Sequence, residues 1–178
     1  SLNRNNVIKN NKIKIVLDPV MVAKSGHKLL KNEAVKALKI FITKCNPILT
    51  PNIPEAEILT GIKIKDLCDM EKAAKKILTM GASHVLLKGG HLDGDVVTDI
   101  LVGEDYCHSK KSIKIKTNHT HGTGCTMSSA LATSLAQILD IKEAFEKAHD
   151  YVQIAIKSAP CLGHGNGPIN HCHSINFD

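Results

Sequence analysis

The sequence predicts an α/β fold in which a largely parallel sheet is covered by helices. Short runs rich in Ile, Leu and Val alternate along the chain with longer segments that have the apolar period of a helix. Polar side chains follow several of the predicted strands directly, and open α/β sheets bind ligands at such strand ends. The 178 residues, 43% hydrophobic and 22% charged, are typical of one globular domain, which we assign to residues 1–178.

Five short segments are predicted to be strands. The first, IKIVLDPV, is a β-branched run that ends in Asp and Pro, as a buried strand does when it leads into a loop. The second is a three-residue strand in PILTPNIPEAEILTG, and the third, HVLLKGG, is followed by a glycine turn. These three strands lie at 13–20, within 47–61 and at 84–90. Two later strands are predicted near 96–102 and near 112–117.

Five segments have the pattern of helices. The segment NEAVKALKIFITK (32–44) opens with an Asn that can cap it and carries its apolar side chains on one face. A short helix after the second strand is stopped by Gly61, and an amphipathic helix at 65–81 has Asp66 as its candidate cap. The last two helices are predicted near 124–138 and 141–158.

The segment THGTGCTMSSALAT (120–133) is the clearest candidate for an anion site. Gly122, Thr123, Gly124 and Cys125 precede a helical pattern, whose apolar positions are Met127, Leu131, Leu135 and Ile138. A glycine turn that leads into a helix presents backbone N–H groups at the positive end of the helix dipole, which suits phosphate. A plain helix start with flexible glycines explains the turn equally well when it is taken alone.

Four further polar residues follow predicted strands. Asn52 and Glu55 form an N-x-x-E group able to hold magnesium directly or through water, and Asp18 can meet a metal or a nucleophile. Lys88, before two glycines, can place a positive charge on a phosphate. Taken singly, they also fit a helix-start carboxylate, a turn-initiating Asp and a solvated Lys. Neither a GxxxxGK[ST] motif nor a complete GxGxxG motif is present.

Composition argues against several classes of protein. The net charge is +6, but all basic residues except Arg4 are lysines and aromatic residues are only 3%, which disfavours nucleic-acid binding. No apolar run has membrane-spanning length, and six cysteines without a CxxC pair indicate a reduced, cytoplasmic protein. A zinc site in the glycine-rich tail is disfavoured, although the tail holds Cys161, His164, His171, Cys172 and His173.

Five stretches together resemble one known family. In chain order they are VLDPVMVAKSGHKLL, ILTPNIPEAEILTG, HVLLKGGHL, HGTGCTMSSALA and GHGNGPINH. They are similar to the hydroxymethylpyrimidine/phosphomethylpyrimidine kinases of thiamine biosynthesis, in the ribokinase-like superfamily. The resemblance runs from about residue 13 to 173. It implies a three-layer α/β/α sandwich that uses ATP and Mg²⁺ to phosphorylate the hydroxymethyl group of the pyrimidine and then the resulting monophosphate.

The resemblance also implies roles for the candidate residues. By position, the turn 122–124 resembles the family's anion hole, and Asn52 and Glu55 match its magnesium-organising motif. Asp18 and Val20 match a D-P-V stretch that lines the phosphate and pyrimidine sides of the site. Cys125 stands where many relatives carry a catalytic Asp. Because a helix N-terminus lowers the pKa of a thiol, we expect a thiolate base.

The resemblance leaves three functions open. Family members begin with a strand and a glycine-rich segment that this sequence does not show, so we expect an N-terminally incomplete chain. The leading function is the pyrimidine kinase, and a pyridoxal-type kinase is the first alternative because it shares the fold and part of the motif set. The second is a truncated, non-catalytic remnant that binds nucleotide. A homodimer is an open option.

Overall fold

A computed structural model of the protein describes residues 13–21, 31–137, 140–162 and 165–175. The parts of the sequence motifs at 22–30 and 163–164 lie outside the described residues, as do the predicted apolar position Ile138 and the candidate zinc ligand His164.

The described residues contain five strands and five helices. The strands are β1 (Val16–Leu17), β2 (Ile48–Leu49), β3 (His84–Leu87), β4 (Val96–Val102) and β5 (Cys107–Ile113). The helices are α1 (Asn32–Cys45), α2 (Ile53–Thr60), α3 (Leu67–Thr79), α4 (Thr123–Gln137) and α5 (Ile141–Lys157). The predicted helices are therefore confirmed to within two residues at each end.

The sheet is mixed, which corrects the expectation of a largely parallel one. Its strand order is β1-β2-β3-β4-β5. The pairs β1–β2 and β2–β3 are parallel, whereas β3–β4 and β4–β5 are antiparallel. The chain between β4 and β5 is only a tight turn, closed by the N–H of Gly103 donating to the carbonyl of Tyr106 at 3.0 Å. A connection this short allows only antiparallel pairing.

The predicted position of the last strand was wrong. It was expected near 112–117, but β5 is Cys107–Ile113 and alternates between exposed and half-buried residues. Its sequence CHSKKSI has few β-branched side chains, so its composition does not indicate a strand. Register with β4 fixes it instead, from Val102 opposite Cys107 to Val96 opposite Ile113.

Two hydrophobic cores lie on opposite faces of the sheet, which confirms the three-layer α/β/α arrangement. Adjacent strand residues point to opposite faces, so Leu87 joins the core formed with α1, α2 and α3, and Leu86 joins the core formed with α4 and α5. On the outer layers, Ile77 is fully buried in the first core and Phe145 in the second. Burial on both faces makes the sheet a rigid base for the loops at its edge.

The helix ends follow from local capping. The Asp66 carboxylate accepts the N–H of Asp69 at 2.9 Å, which confirms Asp66 as the cap of α3. Gly61 ends α2 with φ +73°, a conformation that favours glycine. The Asn cap expected for the first helix is wrong, because Asn32 already belongs to α1 and Lys31 precedes it without a side-chain cap. None of the helices in the described ranges combines the length and hydropathy that crossing a membrane requires.

Candidate active site

Three strand ends and one helix start meet at one edge of the sheet. Because β1, β2 and β3 are parallel, their carboxyl ends lie together, and the chain leaves them at Asp18, Thr50 and Lys88. The loop after β2 pairs with the end of β3 through a bridge between Asn52 and Lys88. Helix α4 begins against the same edge. The fold therefore brings together the sequence-predicted residues that flank these ends.

Lys88 is the centre of this cluster. Its Nζ donates to Oδ1 of Asp18 at 3.1 Å, and both side chains are largely buried. A Cβ placed on Gly124 would lie 3.1 Å from the same Nζ, so the ammonium packs directly against the turn before α4. A buried ammonium with one carboxylate partner keeps N–H donors for a second anion.

The glycine turn has the geometry of an anion cradle. Gly122 has φ +86°, which turns the chain into α4, and the Thr123 hydroxyl donates to the carbonyl of Thr120 at 2.8 Å. The N–H of Thr126 donates to the carbonyl of Gly122 at 2.9 Å, so the helical bonds begin there. The N–H groups before Thr126 belong to the first turn, which by helix geometry lacks helical carbonyl partners. The prediction that 122–125 starts a helix is confirmed.

Two hydroxyls that the sequence did not single out join the turn to the strand ends. Thr50 is fully buried, and its Oγ1 lies 2.7 Å from Oγ of Ser128 in α4 and 3.4 Å from Oδ1 of Asp18. The Ser128 hydroxyl also lies 3.1 Å from the carbonyl oxygen of Gly124, to which it can donate. A continuous polar contact therefore runs from Asp18 to the glycine turn. Position after a strand end was the only available signal for Thr50.

Asn52 and Glu55 form a capping box at the start of α2. The Asn52 Oδ1 accepts the N–H of Glu55 at 2.9 Å, and the Glu55 carboxylate accepts the N–H of Asn52 at 2.9 Å. The other oxygen of Glu55 accepts the N–H of Met21 at 3.2 Å. Glu55 is only 2% exposed, so this carboxylate ties the Asp18 segment to α2.

The oxygen donors of the cluster suit magnesium better than zinc. Within the described residues no three His, Cys, Asp or Glu side chains gather as a metal cluster, the tail residues Cys161, His171, Cys172 and His173 included. Mg²⁺ keeps several waters and takes one or two carboxylates beside phosphate oxygens. Asp18 and Glu55 are carboxylates of this kind, and each Glu55 oxygen accepts one backbone N–H in a group with about four acceptor positions. The residues therefore fit a hydrated Mg²⁺.

The pKa of Cys125 differs from the expectation. The side chain is exposed in the first turn of α4, yet the pKa of its thiol is raised. Partial desolvation is the largest cause, and the hydrogen bond and negative charge of Asp18 raise it further, while Lys88 acts in the opposite direction. The expected lowering of the pKa is thus not found, because partial desolvation and, after it, the hydrogen bond and charge of Asp18 favour the neutral thiol.

Two further residues, Val20 and His91, follow Asp18 and Lys88 closely in the chain. Val20 is 43% exposed, two residues after Asp18 and next to the buried Met21. His91 lines an open cavity of about 500 Å³, together with Ile64, Lys65, Asp66, Leu92 and Asp93. Burial lowers the pKa of His91, and the nearby charge of Glu55 opposes that shift. Neither Asp18, Glu55, Lys88 nor the glycine turn lines this cavity, although His91 is near enough to Glu55 and Lys88 for their charges to act on its pKa.

Comparison with known protein sequences identifies related proteins. The family model for phosphomethylpyrimidine kinase matches residues 4–170. The hydroxymethylpyrimidine/phosphomethylpyrimidine kinase of Bacillus subtilis is 43% identical over 159 residues, which cover 89% of this chain and 59% of that protein. The thiamine biosynthesis bifunctional protein ThiED of Geobacter sulfurreducens is 47% identical over 157 residues, which cover 88% of this chain and 32% of that protein.

Solved structures show the same fold. A phosphomethylpyrimidine kinase from Clostridium difficile has a TM-score of 0.71 at 44% identity, covering 85% of this chain and 61% of that one. The ADP complex of Bacillus subtilis pyridoxal kinase has a TM-score of 0.82 at 32% identity, covering 96% and 64%. The chain spans about 60% of the length of the curated pyrimidine kinase it matches. With the family model matched over residues 4–170, the chain belongs to the phosphomethylpyrimidine kinase family.

Proposed function

We propose that this chain takes part in the ATP-dependent phosphorylation of hydroxymethylpyrimidine and its monophosphate. The observation that carries the proposal is the packing of the Lys88 ammonium between Asp18 and the glycine turn before α4. A polyphosphate needs positive charge and backbone N–H donors at one place, and this packing supplies both. The 43% identity to the Bacillus subtilis kinase supports the same reaction.

The backbone of the turn and Lys88 divide the work of binding phosphate. N–H groups of Gly122, Thr123 and Gly124 donate to the oxygens of the transferred phosphoryl group, where negative charge is greatest in the transition state. Lys88 turns from Asp18 toward the phosphate and neutralises part of its charge. Because the Thr50–Ser128 contact fixes the turn beforehand, little reorganisation is needed when the nucleotide arrives.

The carboxylates of Asp18 and Glu55 are the proposed magnesium-organising groups. Bound Mg²⁺ would neutralise phosphate charge in the transfer. Since both oxygens of Glu55 already accept backbone N–H groups, we assign Glu55 to a coordinated water and not to the metal itself. Asn52 keeps Glu55 in place through the capping box.

Cys125 and Asp18 are the proposed proton-accepting pair. The acceptor hydroxyl approaches Cys125 from the side of Val20, which lines the pyrimidine pocket. The raised pKa keeps the resting thiol protonated, and Asp18 is the carboxylate that hydrogen-bonds to it. As the hydroxyl oxygen bonds to the γ-phosphorus of ATP and the bond from that phosphorus to the bridging oxygen breaks to release ADP, the hydroxyl proton passes to Sγ while the thiol proton moves to the Asp18 carboxylate.

A phosphoryl-transfer assay with the 178-residue chain tests the proposal. The chain is incubated with Mg–ATP and hydroxymethylpyrimidine, and product is followed by phosphorus NMR. Cys125→Ala is expected to lower kcat by roughly 10²–10⁴, the usual contribution of a positioned base, with little change in nucleotide affinity. Cys68→Ala is the matched control, because Cys68 is also an exposed thiol in the first turn of a helix.

The outcomes separate a kinase from a nucleotide-binding module. Product formation that falls in Cys125→Ala and not in Cys68→Ala supports the kinase. Nucleotide binding without product would instead make this chain a nucleotide-binding module. A chain that neither binds nucleotide nor forms product would contradict the proposal.

Pyridoxal is the second candidate substrate, because pyridoxal kinases superpose closely. The Staphylococcus aureus enzyme bound to AMP-PCP has a TM-score of 0.83, above that of the Clostridium difficile pyrimidine kinase, but its identity of 30% is lower than 44%. Substrate choice depends on the side chains that line the pocket, and sequence identity reflects side chains more directly than backbone superposition does. The pyrimidine therefore remains the first candidate substrate. Competition between the two substrates in the same assay decides between them.

A further inference from the structure

A buried carboxylate lies behind the Lys88 turn. Asp99, in the middle of β4, is 5% exposed, and its Oδ1 accepts the N–H of Gly89 at 2.8 Å. Gly89 directly follows Lys88, whose own N–H donates to the carbonyl of Pro51 at 2.9 Å. The Lys88 segment is therefore held from one side by the loop after β2 and from the other by Asp99.

The backbone at Gly89 lies in very close contact with the backbone of β4. A Cβ on Gly89 would overlap the carbonyl oxygen of Thr98, the residue before Asp99. Only glycine allows this approach. The hydrogen bond from Gly89 to Asp99 is thus part of a fixed contact between the two segments.

His149 faces the second oxygen of Asp99. It lies in α5, is 1% exposed, and its Nε2 is 3.9 Å from Oδ2 of Asp99. Neither ring nitrogen has a hydrogen-bond partner in the described residues. Lys110, the cross-strand neighbour of Asp99, contacts Glu146 and Asp150. Because Lys110 contacts Glu146 and Asp150, the contacts of the Asp99 carboxylate are with the Gly89 N–H and the His149 ring.

A buried carboxylate is energetically unfavourable at a position whose only role is packing. Burial raises the pKa of Asp99, which means that the environment disfavours its charge, although the Gly89 N–H and His149 oppose the shift. Replacing a whole buried ion pair by apolar groups of similar volume is often neutral or stabilising, so packing alone does not require a carboxylate here, whereas removing one partner leaves the other buried and unpaired. The structural feature that needs this oxygen is the Gly89 N–H.

We infer that Asp99 is a positioning residue that fixes Lys88 through the Gly89 peptide, with His149 supporting it from α5. The inference rests on the proposed function, in which Lys88 meets a phosphate. Asp99 does not reach the reacting atoms itself. It keeps the Lys88 ammonium beside Asp18 and the glycine turn, so that nucleotide binding does not have to order it.

The test compares Asp99→Val, which removes the acceptor but favours a strand, with Asp99→Asn, which keeps an acceptor oxygen. Amide exchange of Gly89 and the side-chain resonances of Lys88 are followed by NMR in the ligand-free 178-residue chain, and Mg–ATP affinity by calorimetry. In Asp99→Val we expect faster Gly89 exchange, shifted Lys88 resonances and about 2- to 10-fold weaker binding, the equivalent of one hydrogen bond. Its thermal midpoint should fall, because the buried Gly89 N–H loses its acceptor, and Asp99→Asn should retain most of the affinity.

Leu101→Ala is the matched control, because Leu101 is fully buried on the same face of β4. It should lower the thermal midpoint without changing Gly89 exchange or affinity. The inference is overturned if Gly89 stays protected in Asp99→Val, if Lys88 moves without a change in affinity, or if Leu101→Ala has the same effects. Should Asp99→Val not fold, Asp99→Ala takes its place.

Failure of the proposed function has a different signature. If the unmodified chain binds no Mg–ATP, that function fails, while Gly89 exchange and the Lys88 resonances still decide whether Asp99 positions Lys88.

Discussion

At the scale of single residues, Cys125 shows how a neighbour can outweigh a helix. The first turn of α4 favours a thiolate, but partial desolvation, and after it the neighbouring Asp18, raise the pKa of the thiol and favour its neutral form. The same carboxylate also holds Lys88 at 3.1 Å. Asp18 therefore links the proposed phosphate-binding charge to the proposed proton acceptor.

The pH dependence of thiol alkylation tests this balance. Because the pKa of Cys125 is raised, its alkylation by iodoacetamide should reach half its maximal rate at a pH above that of a free thiol. Asp18→Asn removes the negative charge and should lower that midpoint. The rate is followed by mass spectrometry of the Cys125 peptide, which separates it from the other five cysteines. A midpoint below that of a free thiol would restore the helix dipole as the dominant effect.

The Thr50 hydroxyl gives a second prediction at this scale. Thr50→Val keeps the shape but breaks the contact with Ser128, so we expect a loss of about 1–2 kcal/mol in the free energy of unfolding. Mg–ATP affinity should fall as well, because the glycine turn loses its tie to the strands. Thr60→Val is the control, since the Thr60 hydroxyl bonds within α2 to the carbonyl of Ala56. Equal affinity losses in both variants would contradict a specific role for Thr50.

The sequence allowed only part of this site to be predicted. Asp18, Lys88 and the glycine turn carry local signals, namely a strand end or a turn, and the fold brings them together. Thr50 has only its position after a strand end and Ser128 has no local signal, and their contact joins residues 78 positions apart. The pKa of Cys125 was misjudged for the same reason, since Asp18 lies far from it in sequence.

At the scale of elements, the start of α2 combines a structural and a proposed functional role. The capping box satisfies two backbone N–H groups, and the bond from Met21 joins the helix to the segment after β1. The sequence suggested either a helix-start carboxylate or a magnesium-organising group for Glu55. The helix-start role is present in the structure, and the magnesium role stays a prediction.

Glu55→Gln separates these two roles. Gln also completes a capping box, so the helix should persist with a modest loss of stability, while the negative charge is removed. If Glu55 organises Mg²⁺, half-maximal nucleotide binding should require a higher magnesium concentration. Glu57→Gln is the control on the same helix, because Glu57 accepts the N–H of Ile64 and pairs with Lys63. Equal magnesium dependence in the two variants would leave Glu55 with the capping role alone.

Strand β5 is the element whose position was predicted wrongly. Residues 107–113 lack an apolar stripe, and contacts with α5 hold the strand, including Lys110 with Asp150 at 2.7 Å and His108 with Glu146 at 2.6 Å. Such pairs between layers are not visible in local periodicity. The amphipathic helices were predicted well because their period records which face is buried.

At the scale of the whole molecule, the sheet has one hydrophobic core on each face. Ile77 of α3 belongs to one core, whereas Leu131 of α4 and Phe145 of α5 belong to the other. The order of strands and helices predicted an α/β sheet, and the family resemblance implied its three layers. The antiparallel pairing of β4 with both β3 and β5 was not predicted, because it is set by the short connections on either side of β4.

Core substitutions on the two faces test whether the layers unfold together. Ile77→Ala should cost about 2–5 kcal/mol and Phe145→Ala about 3–5 kcal/mol, because each leaves a cavity in a fully buried site. Across the sheet the two losses should add to within about 0.5 kcal/mol, whereas Leu131→Ala with Phe145→Ala should depart from additivity by about 0.5–3 kcal/mol. Urea unfolding followed by far-UV circular dichroism and by tyrosine fluorescence measures these free energies. Because both cores use the same strands, the two probes should give one transition; separate transitions would mean that each layer is stable without the other.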